Sequence, residues 1–318
     1  MKITYAAQRP RVRRLTKTCR TKGLFALVLS GALWGTSHSV YAGESAQGSY
    51  RHEQWSVSNA SNVNRQWNVS AGLPQISVRT MSRDTEGMLW VGTETGLARF
   101  DGRQFEVFNS LNTPAMQSNW IDAIFTDRKG RLWIATADGI VVREANRFTP
   151  VNNSDASTRV TGFAETQDGT LWVGGNRLRW ITGDALQAAP FHDEPVQYLA
   201  TTGRELWLLS ERRQLSVFTN GELLTSTPTA IANATISAMT AVDNAIYLLA
   251  DGQIVSAQLG AKGEIDLQPL PPLPSPGAAI VGTRQHSLMA LTEGGEVYEI
   301  AVGQGSDWQI KGLPKTIP

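Results

Sequence analysis

Apolar and polar positions alternate along Ile76-Ser77-Val78-Arg79-Thr80-Met81-Ser82, the two-residue period of a strand with one covered face. Asp84 to Gly87 follows as a turn: the aspartate can accept from amides two or so residues on, and the glycine tolerates positive φ. Met88-Leu89-Trp90-Val91-Gly92-Thr93 is then almost continuously apolar, which predicts a strand covered on both faces. Glu94-Thr95-Gly96 turns the chain into a third strand, Leu97-Ala98-Arg99-Phe100. Asp101-Gly102 is a strong hairpin signal, and Gln104-Phe105-Glu106-Val107-Phe108 reads as a fourth strand.

This four-strand unit recurs. Thr126-Asp127-Arg128-Lys129-Gly130-Arg131-Leu132-Trp133-Ile134-Ala135-Thr136 is a second copy, and Gln167-Asp168-Gly169-Thr170-Leu171-Trp172-Val173-Gly174-Gly175 a third. Weaker copies centre on Leu206-Trp207 and Ile246-Tyr247. The aromatic anchors Trp90, Trp133, Trp172, Trp207 and Tyr247 lie 43, 39, 35 and 40 residues apart. Short strands and tight turns at that period define the blades of an all-β propeller. Six four-stranded blades are expected, starting near residues 76, 120, 159, 195, 235 and 279, within a propeller region spanning 65–318. The anchors read as apolar plugs between blades. The proline-rich Leu270 to Pro276 reads as the connection between blades five and six.

Residues 65–74 resemble an outermost strand with its exit loop, and the C-terminal Gly312-Leu313-Pro314 repeats Gly72-Leu73-Pro74 at the entry to blade one. Six blades plus a lone outer strand predict an incomplete seven-bladed ring, the front part of a longer polypeptide. The alternative is a compact six-bladed ring with a dangling N-terminal strand.

The N-terminus changes the picture of where the chain works. Residues 1–42 carry eight basic and no acidic residues, then an apolar run from Leu24 to Gly35 and a small residue at Ala42. That layout is a secretory signal peptide of the general type cleaved after Ala42, with residues 43–64 as an N-terminal extension. An uncleaved anchor is the other reading, and both put the remainder outside the cytoplasm. The single cysteine, Cys19, falls inside the signal. Removing the eight signal cations from 29 leaves 21 against 28 acidic residues, a net charge of −7, which argues against a nucleic-acid partner.

Gly72-Leu73-Pro74 followed by Asp84-x-x-Gly87-x-Leu89-Trp90-Val91-Gly92-Thr93-x-x-Gly96-Leu97-x-x-Phe100-Asp101-Gly102 resembles the two-component regulator propeller repeat. The match is near complete in blades one and two. It is partial in blade three, where Gly175 replaces the expected threonine, and faint beyond. The resemblance implies the periplasmic sensor region of a bacterial membrane receptor, with a histidine kinase or diguanylate cyclase as output. No motif of either output occurs in the 318 residues.

A propeller gathers its loops around one end of the channel. The loops expected there carry Gln75, Glu94, Trp120, Asp138, Arg159, Asn176 and Arg212, and Arg79 and Asp122 stand at the start of innermost strands. This mixture suits a sugar, a peptide or another small ligand, with no cofactor. A protein-binding scaffold, or a homodimer that closes the ring, are further readings. At the level of single blades the chain is also similar to streptogramin B lyase. For such an enzyme His192, beside Asp193 and Glu194, is the nearest approach to a base near a metal, but no ligand spacing accompanies it. The chain is therefore read as a binder, and a membrane would be met only through a further C-terminal region or an uncleaved anchor.

Overall fold

The computed structural model describes residues 72–75, 77–152, 159–183, 185–227, 234–283, 286–301 and 309–312. Within them the chain forms 24 strands and no helix, arranged as six four-stranded antiparallel sheets. Blade one comprises β1 (Val78–Arg83), β2 (Leu89–Thr93), β3 (Leu97–Phe100) and β4 (Phe105–Phe108), hydrogen-bonded in that order. The innermost strands of the later blades are β5 (Ile121–Thr126), β9 (Val160–Glu165), β13 (Val196–Thr202), β17 (Ile236–Val242) and β21 (Gly277–Gly282). Each packs on the innermost strand of the blade before it, so the sheets stand in a ring around a channel. The first strands of the six sheets begin at residues 78, 121, 160, 196, 236 and 277. Of the expected outer strand and exit loop at 65–74, residues 65–71 lie outside the described residues. The last strand runs over Gln309–Gly312, and 270–276 does connect blades five and six.

The repeat motif has a compact physical explanation. Asp84 is buried, and its side chain accepts from the Glu86 amide (3.0 Å), the Met88 amide (2.9 Å) and Trp90 Nε1 (2.7 Å). Gly87, at φ 90°, closes the turn by donating to the Asp84 carbonyl. Asp127 does the same in blade two for the amides of Lys129 and Arg131 and for Trp133 Nε1 (2.9 Å). One carboxylate thus shapes the turn and supplies the indole with the partner that burial would otherwise deny it. Six residues before its tryptophan, blade three has Thr166, which accepts from Trp172 Nε1 at 3.2 Å. Blade four uses Thr202 on a turn one residue shorter, at 2.7 Å from Trp207 Nε1.

With their N–H groups satisfied, the rings fill the seams. Trp90, Trp133, Trp207 and Tyr247 are fully buried and Trp172 nearly so. Each lies in an apolar cluster, and five of these clusters join successive blades. A small cluster of Leu73, Val91 and Ala98 covers the face of blade one turned away from blade two.

Candidate functional site

One irregularity recurs in every blade. The pairing between the first two strands slips by one residue at the same place. In blade one Val78 faces Thr93 while Thr80 faces Gly92, which leaves Arg79 as the extra residue. The slips in blades two to six fall at Asp122, Thr161, Gln197, Ser237 and Ala278. A bulge of this kind bends the strand and re-aims the inserted side chain. Six bulged residues therefore mark one end of the inner strands, where the loops between blades also lie.

Three of the bulged side chains reach sideways to the next blade. Arg79 Nη2 donates to Asp122 Oδ1 at 3.1 Å, Thr161 Oγ1 to the Val196 carbonyl at 2.7 Å, and Gln197 Nε2 to the Ile236 carbonyl at 3.4 Å. Their character changes around the ring: charged in blades one and two, uncharged polar in three to five, methyl in six.

Blades one and two build the densest group. Arg79 pairs with Asp122 and stands 3.9 Å from Glu94, while Gln75 Nε2 donates to Glu94 Oε2 at 3.3 Å. The Arg79 guanidinium lies over the Trp120 ring at 4.7 Å, and Trp120 Nε1 donates to Asp122 Oδ1 at 3.0 Å. Asp122 is 11% exposed, whereas Arg79 and Glu94 are about one third exposed. Trp120 is 38% exposed, the one aromatic among the large apolar side chains left in solvent within the described residues. Two carboxylates against one guanidinium, next to an accessible indole, can accept several hydroxyl or ammonium protons while the ring packs on an apolar face.

Five of the residues singled out from the sequence therefore come together: Gln75, Arg79, Glu94, Trp120 and Asp122. Asp138, Arg159 and Asn176 are exposed, and among the described residues no hydrogen bond or ion pair ties them to that group. Arg212 pairs instead with Glu194 at 3.0 Å, with its own side chain 81% exposed. His192 packs edge-on against Phe218. Burial pushes its imidazole below the ordinary histidine range, against the opposing pull of Glu194 and Asp193. Among the described residues no group of three or more histidine, cysteine or carboxylate side chains is placed to hold a metal ion, and no helix is long and apolar enough to cross a membrane. Thr161, Gln197, Ser237 and Ala278 were not singled out from the sequence. The signal was there, since each follows the first residue of its innermost strand as Arg79 follows Val78.

A six-bladed β-propeller with a polar, bulge-lined channel mouth is the class this geometry defines. Residues 72–95, 115–138 and 154–177 match the two component regulator propeller model. No curated protein sequence matches the chain. Among solved structures, virginiamycin B lyase from Staphylococcus aureus aligns with a TM-score of 0.57 at 15% identity, over 75% of this chain and 84% of that one. The extracellular domain of a putative hybrid two component system from B. thetaiotaomicron aligns with a TM-score of 0.56 at 16% identity, over 79% of this chain and 37% of that one. PorZ, a surface component of the type-IX secretion system of Porphyromonas gingivalis, gives 0.57 at 15%, over 79% and 34%. At these identities the likeness is one of fold.

Proposed function

We propose that the chain is an exported sensing propeller, the ligand-binding input region of a bacterial signal-transduction receptor, and that it takes a carbohydrate at the channel mouth. The observation that carries this reading is the Arg79–Asp122–Glu94 group beside the half-exposed Trp120, built by bulges that turn side chains out of the sheet register. Vicinal hydroxyls of a sugar would be held by carboxylate oxygens and the guanidinium while a C–H face of the ring lies on the indole. The repeat family, the fold shared with two-component extracellular domains and the signal-like N-terminus support export and a sensing role. The reading is of a binding module, with the output supplied elsewhere.

A test is to screen the purified exported chain against arrays of oligosaccharides and of peptides, then repeat the screen with Trp120→Ala and Asp122→Asn. Oligosaccharide hits should weaken at least 10-fold in both variants. Melting temperatures should stay near the parent's, because Trp120 is 38% exposed and Asp122→Asn keeps the shape of the side chain. Peptide hits alone, or sugar hits that both variants retain, would overturn the reading.

A further inference from the structure

A cavity of about 350 Å³ opens between blades three and four at the ends of the inner strands away from the bulges. It is lined by Trp172, Leu206 and Phe218 as an apolar floor, with Asp168, Arg204 and Asn220 at the rim. Its size falls at the lower end of the range of small-molecule sites, about 300–1,000 Å³.

The lining of the cavity differs from the matching place in blade two. Leu132 in blade two and Leu206 in blade four occupy matching positions, and their cross-strand partners are Arg143 and Phe218. Arg143 is buried, and its guanidinium lies 4.9 Å from the Trp90 ring, covering the anchor of the preceding blade. In blade four Phe218 stands there instead, as Phe100 does in blade one, and with Trp172 it lines the cavity. The aspartate has also moved. Asp84 and Asp127 stand six residues before their tryptophans and point at the indole, whereas Asp168 stands four before and Thr166 has taken the indole.

The displaced carboxylate is well prepared. Asp168 Oδ1 lies 2.6 Å from Thr166 Oγ1 and accepts from the Thr170 amide at 3.0 Å, and Oδ2 accepts from Thr170 Oγ1 at 3.0 Å. Burial alone would push the Asp168 carboxyl up, but the bonds from Thr166 and Thr170 outweigh it and hold the group below the usual carboxylate range. A carboxylate has about four acceptor positions, so Oδ2 keeps one open. Arg204 is exposed and forms no ion pair with a described carboxylate.

We propose that this cavity is a binding site for a free amino acid with an apolar side chain. Arg204 takes the carboxylate, Asp168 takes the ammonium group, and the side chain rests on Trp172, Leu206 and Phe218. One cation and one anion flanking an apolar floor match a zwitterion with a hydrophobic substituent, and neither a sugar nor a simple anion would use all three parts.

Isothermal titration of the purified exported chain with L-phenylalanine and with L-leucine tests this. One-to-one binding of at least one of them is expected. L-phenylalaninamide, without the carboxylate, and N-acetyl-L-phenylalanine, without the ammonium, should each bind at least 10-fold more weakly than L-phenylalanine. Arg204→Gln alters an exposed side chain and should weaken binding at least 10-fold, while Arg103→Gln, at an exposed residue of the outer hairpin of blade one, should leave it unchanged. No heat with either amino acid at millimolar concentration, equal affinity for the blocked compounds, or full binding by Arg204→Gln would each overturn the proposal.

Discussion

Trp207→Ala is expected to destabilise the propeller by about 3–5 kcal/mol, the range for deleting a large aromatic side chain from a packed core. Trp207 is fully buried in the seam between blades four and five, against Tyr198, Leu215, Ile246 and Leu248 among others. Its indole N–H donates to Thr202 Oγ1 at 2.7 Å. Truncation removes the ring from both blades at once, and the strands of a closed seam have little freedom to collapse into the gap. In a domain of this size each kcal/mol moves the melting temperature by about 2–4 °C, so a fall on the order of 10 °C is expected in calorimetry or circular dichroism. Trp207→Phe separates the two contributions. It keeps most of the apolar filling and removes only the donor, and should cost about 1–2 kcal/mol. A Trp207→Ala variant within 1 kcal/mol of the parent would mean that the ring is not what joins these blades.

The seam residues were legible in the sequence because their signal is local and repeated. Asp84, Gly87 and Trp90 lie within seven residues, and every contact that explains them runs within the same turn and strand. The mouth was legible in part, for a different reason. Arg79 and Asp122 are one repeat apart, and the ring turns that sequence interval into a 3.1 Å contact. The regularity of the fold also carried Glu94 and Trp120 to the same place. It did not do so for Asp138, Arg159, Asn176 and Arg212. Arg159, Asn176 and Arg212 belong to blades three and four, and separation around a ring leaves no trace in a one-dimensional spacing; Asp138 shares blade two with Trp120, yet its side chain stays in solvent. The bulges leave no mark within a single strand, because an inserted residue changes pairing and the partner strand reveals it; only the recurring second position of the inner strands could point to them. The cavity between blades three and four is lined by Asp168, displaced from the repeat's aspartate position at 166, and by Arg204, which stands in the shortened turn of blade four. A reading that seeks repeats passes over both.

Gly175→Thr should destabilise the chain by about 3 kcal/mol, although threonine is the residue that the repeat itself recommends there. Thr93 and Thr136 hold the matching position in blades one and two, where their hydroxyls donate to the carbonyls of Gly96 (2.8 Å) and Gly139 (3.0 Å) across the turn. Copying a residue from better-formed repeats commonly stabilises a protein. Here the backbone forbids it: a Cβ on Gly175 would sit 2.0 Å from the Arg159 carbonyl oxygen, and that neighbour is main chain, which cannot rotate aside. Thermal unfolding of Gly175→Thr beside Gly175→Ala decides the cause. If the clash at Cβ governs, alanine should be nearly as harmful as threonine, since both carry the offending carbon. If threonine proves neutral or better than the parent while alanine does not, the turn bond outweighs the clash and the strand start has moved to admit it. That movement would not be silent. Arg159 is two residues from the bulged Thr161, whose hydroxyl ties blade three to the Val196 carbonyl of blade four. A chain that accommodated threonine at 175 would therefore do so by shifting the channel mouth.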